Sequence, residues 1–145
     1  MEIYTIGFAK KKAEEFFGAL RKVGIKRLID VRLNNTSQLA GFTKKDDLKF
    51  FLRELCDAEY IHEPLLAPTP EILISYKKKK ISWQEYEKRF LDLLAERRVE
   101  EKIDQNLFSG PIVLLCSELK ADKCHRRLAA EYLRSKWSDV EIQHL

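Results

Sequence analysis

Three short runs of aliphatic and β-branched residues, EIYTIGF (2–8), KRLIDVR (26–32) and PIVLLC (111–116), alternate with longer stretches whose apolar residues recur at helical spacing. Few architectures accommodate that alternation. A strand that is apolar on both faces cannot border water on either side, so helices must cover both. The segment PIVLLC carries no polar side chain before its terminal cysteine, and LID (28–30) is apolar until its aspartate. Both read as central strands of a parallel sheet. EYIHEPL (59–65) is a third strand cut short by Pro64, and VEIQHL (140–145) a last one.

The helical segments have their own periodicity. Phe16, Phe17, Leu20 and Val23 share a face, and Gly24 stands where that helix stops. Leu48, Phe51, Leu52 and Leu55 share another face, which Cys56 continues into the core. Thr69 followed by Pro70 marks a helix start. The spacing of Trp83, Tyr86, Phe90, Leu93 and Leu94 predicts one long helix over 82–107, and a final helix is predicted over 121–137 with Asp122 as its N-cap. The expected fold is a single α/β domain over residues 1–145: a mainly parallel five-stranded sheet with helices on both faces. Its strands fall at about 2–7, 26–31, 59–62, 111–116 and 140–144. Strands one and four are expected to be neighbours, with strand two on the far side of strand one.

Composition narrows the class. A chain of 145 residues with 45% hydrophobic residues can bury a full core. A net charge of +4 tolerates anions without requiring nucleic acid. The start MEIYTIGF reads as a strand and not as a secretory signal, and no apolar run is long enough to span a bilayer. Together with three cysteines, an odd number, this leads to the expectation of a cytoplasmic protein with free thiols and no membrane partner.

Open parallel sheets bind ligands beyond the carboxyl ends of their strands. Here those ends are Gly7-Phe8, Asp30-Val31-Arg32, His62-Glu63 and Cys116-Ser117-Glu118, and the last helix opens on Cys124-His125-Arg126. Asp30 and His62 are the proton-transfer candidates, since a carboxylate near an imidazole tunes it toward neutral pH. Cys124, at a helix N-terminus beside His125, is a candidate nucleophile or redox group. Arg32 and Arg126 would hold an anion, Glu118 would orient His125 or pair with an arginine, and Gly7 and Cys116 complete the ligand-facing set. Bland readings stand beside these: Asp30 with Arg32 as a bracing ion pair, and Cys116 and Cys124 as small buried residues.

Three specific chemistries can be compared on these residues. A phosphatase-type loop fails, because Asp122 and not arginine lies six residues after Cys116. A zinc site would have to recruit Cys116, Cys124, His125 and His62 with two adjacent ligands and no Cys-x-x-Cys, so no metal is assigned. A Cys116–Cys124 redox pair requires the intervening loop to fold back. No Gly-rich phosphate loop is present, and nothing names a cofactor.

The blocks YTIGF (4–8), LIDVR (28–32), Ser37 and Phe42, YIHEPL (60–65), LLCSE (114–118) and CHR (124–126), in that order, resemble domain-of-unknown-function family 488 nearly end to end. The resemblance implies a small α/β fold and one recurring set of strand-end residues, and supplies no reaction. Two positions depart from the family pattern. Phe8-Ala9 stands where relatives carry His-Ser, so any acid–base role of that histidine is missing here. Leu66-Ala67 stands where relatives carry a glycine pair.

Three functions compete on this reading. The first is an enzyme or small-ligand binder with a polar strand-end cleft and an anionic substrate. The second is a nucleic-acid module using Lys77–Lys80 with Tyr76, Trp83 and Tyr86, although those last two rings also fit a core stripe. The third is a non-catalytic interaction subunit whose cleft has degenerated.

Overall fold

The computed structural model describes residues 1–36, 41–118 and 120–145; Ser37, one of the residues carrying the family resemblance, lies outside them. The elements run β1 (Glu2–Gly7), α1 (Ala13–Val23), β2 (Arg27–Asp30), α2 (Lys45–Cys56), β3 (Glu59–His62), α3 (Pro70–Lys77), α4 (Trp83–Arg97), α5 (Val99–Lys102), β4 (Ile112–Cys116), α6 (His125–Lys136) and β5 (Glu141–His144). Among the described residues the five strands form one sheet in the order β3-β2-β4-β1-β5, and every pairing is parallel.

β1 and β4 are neighbours as expected, but β2 lies beyond β4 and not beyond β1. The reason is burial. All five residues of β4 are buried, and the strand with no polar position takes the middle place, where both edges and both faces are covered. The two faces carry separate cores. Phe16, Phe17 and Leu20 of α1 and Leu48 and Leu52 of α2 pack on Ile6, Leu28, Val113 and Leu115. Tyr86, Phe90 and Leu94 of α4 and Leu128, Ala129 and Leu133 of α6 pack on Ile3, Ile29, Leu114 and Cys116. Odd and even positions of β4 thus serve opposite faces, as the two-residue period of a strand requires.

This order creates a crevice. The connection leaving β2 runs outward through α2 to the edge strand β3. The connection leaving its neighbour β4 runs the other way, through α6 and past β1 to β5. Connections that part between adjacent strands leave a gap at the carboxyl ends, the usual place for a ligand.

Local signals set the helix ends. Gly24 adopts φ 63° after α1 and its N–H bonds back to Arg21 and Leu20, a conformation that costs glycine little. The Thr69 hydroxyl accepts from Ile72 N at 3.2 Å, and the Ser82 hydroxyl from Glu85 N at 3.1 Å. Ser82→Ala is expected to lower stability by about 1 kcal/mol, read from urea unfolding midpoints, because α4 then starts without a side-chain cap.

The long helix predicted over 82–107 is interrupted. Arg98 takes the left-handed conformation, φ 54°, and the chain continues as short α5 and a 3-10 turn at Gln105–Phe108. The break turns Val99, Ile103 and Phe108 back onto the core, where a straight helix would have carried them past it. Among the described residues no helix is long and apolar enough to cross a membrane.

Candidate functional site

A cavity of about 340 Å³ opens at the carboxyl end of the sheet, where the connections of β2 and β4 part. Its floor is Cys116, Ser117 and Glu118 after β4 and Cys124 and His125 at the start of α6. Arg32 to Asn34 after β2 and Phe8 after β1 form one wall. Leu73, Tyr76, Trp83 and Tyr86 from α3 and α4 form the other, with Lys77 and Lys123 also on the lining. The size and the mix of aromatic surface with a few polar groups are those of a small-molecule site.

The two cysteines do meet. Cys116 and Cys124, eight residues apart, are joined sulfur to sulfur, so the loop folds back as the redox-pair reading required. Cys56 is a free thiol, and burial raises its pKa. The last helix begins later than predicted: α6 starts at His125, and Cys124 is its N-cap with extended backbone and no side-chain cap bond. Asp122 does not cap it; its carbonyl instead accepts two bonds from the Arg127 guanidinium at 3.2 and 2.9 Å. The change of conformation between Cys124 and His125 lets adjacent side chains converge on one point. Cys116, Cys124 and His125 present ligand-type atoms all within 4.8 Å of one another.

His125 is oriented by the backbone. Its Nε2 lies 2.7 Å from the Val31 carbonyl, which can only accept, so Nε2 carries the proton and Nδ1 keeps its lone pair. Burial lowers the His125 pKa to about 4, partly offset by the bond to Val31, and Arg126 lowers it further. The ring is therefore neutral at neutral pH. It also packs edge-on against Phe90, with ring centres 5.5 Å apart.

Arg126 does not face the cavity. With the helix starting at His125, its side chain passes under the site onto β1. It is fully buried, and it ranks among the largest side chains with no exposure. Nε donates to Thr5 Oγ1 at 3.2 Å, and Nη1 donates to Cys116 Sγ at 3.4 Å and to the Glu118 carbonyl. Thr5 Oγ1 in turn lies 2.6 Å from His144 Nδ1. Burial lowers the Arg126 pKa to about 10, opposed by Glu118 and Asp122, so the guanidinium stays charged at neutral pH. The expected anion grip by Arg126 gives way to an interior cation that braces β1, β4 and the loop between β4 and α6. Gly7 makes this possible. A Cβ there would overlap the Glu118 backbone and come within 2.6 Å of Arg126 Nη1. Its role is to let backbone and guanidinium approach, and it does not line the cavity.

Asp30 and Arg32 form a buried ion pair. Asp30 Oδ1 accepts from Arg32 Nε at 2.9 Å and Oδ2 from Nη2 at 2.8 Å, while Nη2 also donates to the Thr43 carbonyl at 2.7 Å. Tyr60 OH donates to Asp30 Oδ2 at 2.6 Å; burial and this carboxylate both push the Tyr60 pKa up. His62 is the register partner of Asp30, yet its Nε2 bonds the Arg32 carbonyl at 2.8 Å. Among the described residues lining the cavity, neither Asp30 nor His62 appears, and His62 is not part of the Cys-Cys-His cluster. The sequence pattern brought Arg32, Cys116, Glu118, Cys124 and His125 to one cavity and placed Asp30, His62, Gly7 and Arg126 behind it.

Phe8 and Leu66-Ala67, the two positions where the resemblance implies other residues, have definite places in the structure. Phe8 lies on the cavity wall, with the Arg32 guanidinium 5.4 Å from its ring centre. Leu66 and Ala67 are buried, and Arg97 Nη1 ties their loop through the Leu65 and Ala67 carbonyls at 2.9 and 2.7 Å. Thr5, Tyr60 and Lys123 were not singled out in the sequence. Thr5 is a buried polar group inside an otherwise apolar strand, the kind of position that signals a hydrogen-bonding role, and Tyr60, partly buried in YIHEPL, carries no comparable signal. Lys77–Lys80 are exposed at the end of α3. Tyr86 is core, whereas Trp83 and Tyr76 are partly buried and lean on the cavity.

Comparison with known proteins returns neither a curated protein nor a solved structure that matches. A family model does match, over residues 12–133, spanning α1 through most of α6 and so the whole β2–β4 crevice. The chain belongs to the family described as domain of unknown function DUF488.

Proposed function

We propose that this protein binds a small anionic molecule carrying a flat ring, and that the cavity at the β2–β4 crevice is where it does so. The observation that carries the reading is the lining itself. Tyr76 and Trp83 offer partly exposed rings, with Trp83 backed by the buried ring of Tyr86 at 5.2 Å, and Lys77 and Lys123 supply positive charge on the lining of the same cavity. A ring would lie on the aromatic side, and its anionic group would reach Lys123 and Lys77, whose exposed ammonium groups need no rearrangement. At the floor His125 is the group available for chemistry on the bound molecule, as a neutral base through Nδ1, and Cys124 joins it only once its bond to Cys116 is reduced.

Trp83 reports on this directly. The chain has two tryptophans, and Trp137 packs against Phe108 away from the cavity. In a Trp137→Phe background, emission comes from Trp83 alone. Adenosine 5′-monophosphate and benzoate, set against the neutral adenosine and benzamide, form the probe panel. The expected result is saturable quenching by an anionic member, weaker with its neutral partner. Lys123→Ala should weaken binding roughly tenfold, the about 1.4 kcal/mol of one charge-assisted bond. Equal binding of charged and neutral partners, or indifference to Lys123→Ala, overturns the reading. A single-stranded oligonucleotide in the same assay addresses the nucleic-acid alternative: affinity that falls steeply with salt and vanishes when Lys77–Lys80 are neutralised would favour it instead.

A further inference from the structure

We propose that Cys116, Cys124 and His125, with both cysteines reduced, bind one zinc-class divalent metal ion whose fourth coordination position opens into the cavity. Each ligand comes from a different local structure: the end of β4, the N-cap of α6 and the first helical residue of α6. Their donor atoms already lie within 4.8 Å of one another. Around a tetrahedral zinc, with bonds of about 2.0–2.3 Å, donors stand roughly 3.3–3.8 Å apart. Small side-chain rotations reach that spacing. The Cα atoms of the cysteines stand 7.6 Å apart, wider than the roughly 4.4–6.8 Å usual across a disulfide. Once the two side chains are reduced, rotation about their Cα–Cβ bonds can part the sulfurs across this span and admit an ion between them.

The surroundings favour the metal-binding form of each ligand. The bond from His125 Nε2 to the Val31 carbonyl leaves Nδ1 as the free lone pair, and backbone bonds of this kind orient metal-ligating histidines. Arg126 Nη1 donates to Cys116 Sγ at 3.4 Å, which places a buried positive charge beside one of the proposed ligands. Cys124 Sγ sits at the positive end of α6. On binding, each thiol gives its proton to solvent, so one divalent ion replaces two protons and leaves the site's charge unchanged. All three residues also line the cavity, so three protein ligands face an open fourth position, the pattern of reactive zinc sites and not of structural ones. Adjacent ligands at 124 and 125 can converge on one ion because the backbone switches from extended at the Cys124 N-cap to helical at His125.

The test uses the reduced full chain, freed of reductant under anaerobic conditions and titrated with Co²⁺. The expected result is one cobalt per chain, with a thiolate-to-metal charge-transfer band and the intense visible bands of tetrahedral cobalt, both erased by stoichiometric Zn²⁺. Cys116→Ser and Cys124→Ser should each weaken cobalt binding more than about 100-fold, since losing even an outer-shell partner of a ligand costs 10–100-fold. Cys56→Ser should leave it unchanged. Where a ligand variant does not fold by circular dichroism, wild-type protection decides: Zn²⁺ should shield two of the three thiols from iodoacetamide. Reduced, folded wild-type protein that takes up no cobalt overturns the proposal. So does uptake that survives both ligand substitutions, or alkylation of all three thiols at the same rate with and without zinc; the two cysteines are then a thiol–disulfide pair alone. The outcome is independent of the Trp83 titration, so failure of either reading leaves the other standing.

Discussion

Replacing Asp30 by alanine is expected to cost about 3–5 kcal/mol of unfolding free energy, a large part of the margin of a domain this size. The carboxylate is fully buried, and Arg32 is only 6% exposed. Removing Asp30 leaves the guanidinium with the Thr43 carbonyl at 2.7 Å and no counter-charge, and it strips Tyr60 of the acceptor 2.6 Å from its hydroxyl. An uncompensated buried charge is far more expensive than the pair is worth. The companion measurement is the double variant Asp30→Ala/Arg32→Leu. It removes both charges and should recover most of the loss in urea unfolding. A single-variant loss below about 1 kcal/mol would show that water reaches Arg32 and that the pair does not brace the loop after β2. This also bears on chemistry. Both carboxylate oxygens already accept bonds from Arg32, and one accepts from Tyr60 as well, which is the environment of a structural anion.

Gly7→Ala is the second large effect, expected at about 3 kcal/mol or more. The added methyl would fall on the backbone of Glu118, with Arg126 Nη1 at 2.6 Å on its other side. A flexible side chain could move aside for little. Here the obstacles are main chain and a buried guanidinium held by Thr5, Cys116 and the Glu118 carbonyl. The loop after β4 must shift, and with it Ser117, whose carbonyl accepts from Ala9 N at 2.9 Å. The urea midpoint should drop, and the Trp83 response should weaken with it, because Ser117 and Glu118 form part of the cavity floor. A variant as stable as the parent would mean that the β1 end and the β4 loop are not in close contact in solution.

Much of this protein is written in local pattern. The strand run EIYTIG of β1, the unbroken apolar run IVLLC of β4 and the helical spacing of Phe16, Phe17 and Leu20 each place an element and what it buries, because side-chain direction repeats with backbone period. Gly24, Thr69 and Ser82 mark helix ends through conformations and bonds that reach no further than a few residues. Parallel strands with helices on both faces follow from that pattern, and so does the expectation of a cavity at the strand ends. What local pattern cannot carry is distance across the sheet. The position of β2 beside β4 depends on which strand most needs full cover, a competition settled only when all five are assembled. The turn at Arg98 answers to the core it rejoins through Val99, Ile103 and Phe108. Arg126 shows the same limit most clearly. As one residue of Cys-His-Arg at a helix start it has every property of an anion grip, yet α6 starts late, with Cys124 and not Asp122 as its N-cap, and Arg126 turns inward to Thr5, 121 residues away, and leaves His125 and the two cysteines to face the cavity. Residue types and their order name the chemistry available; which of those groups meets water, which meets another group and which is buried is decided by contacts between segments far apart in the chain, whose energies no local window contains.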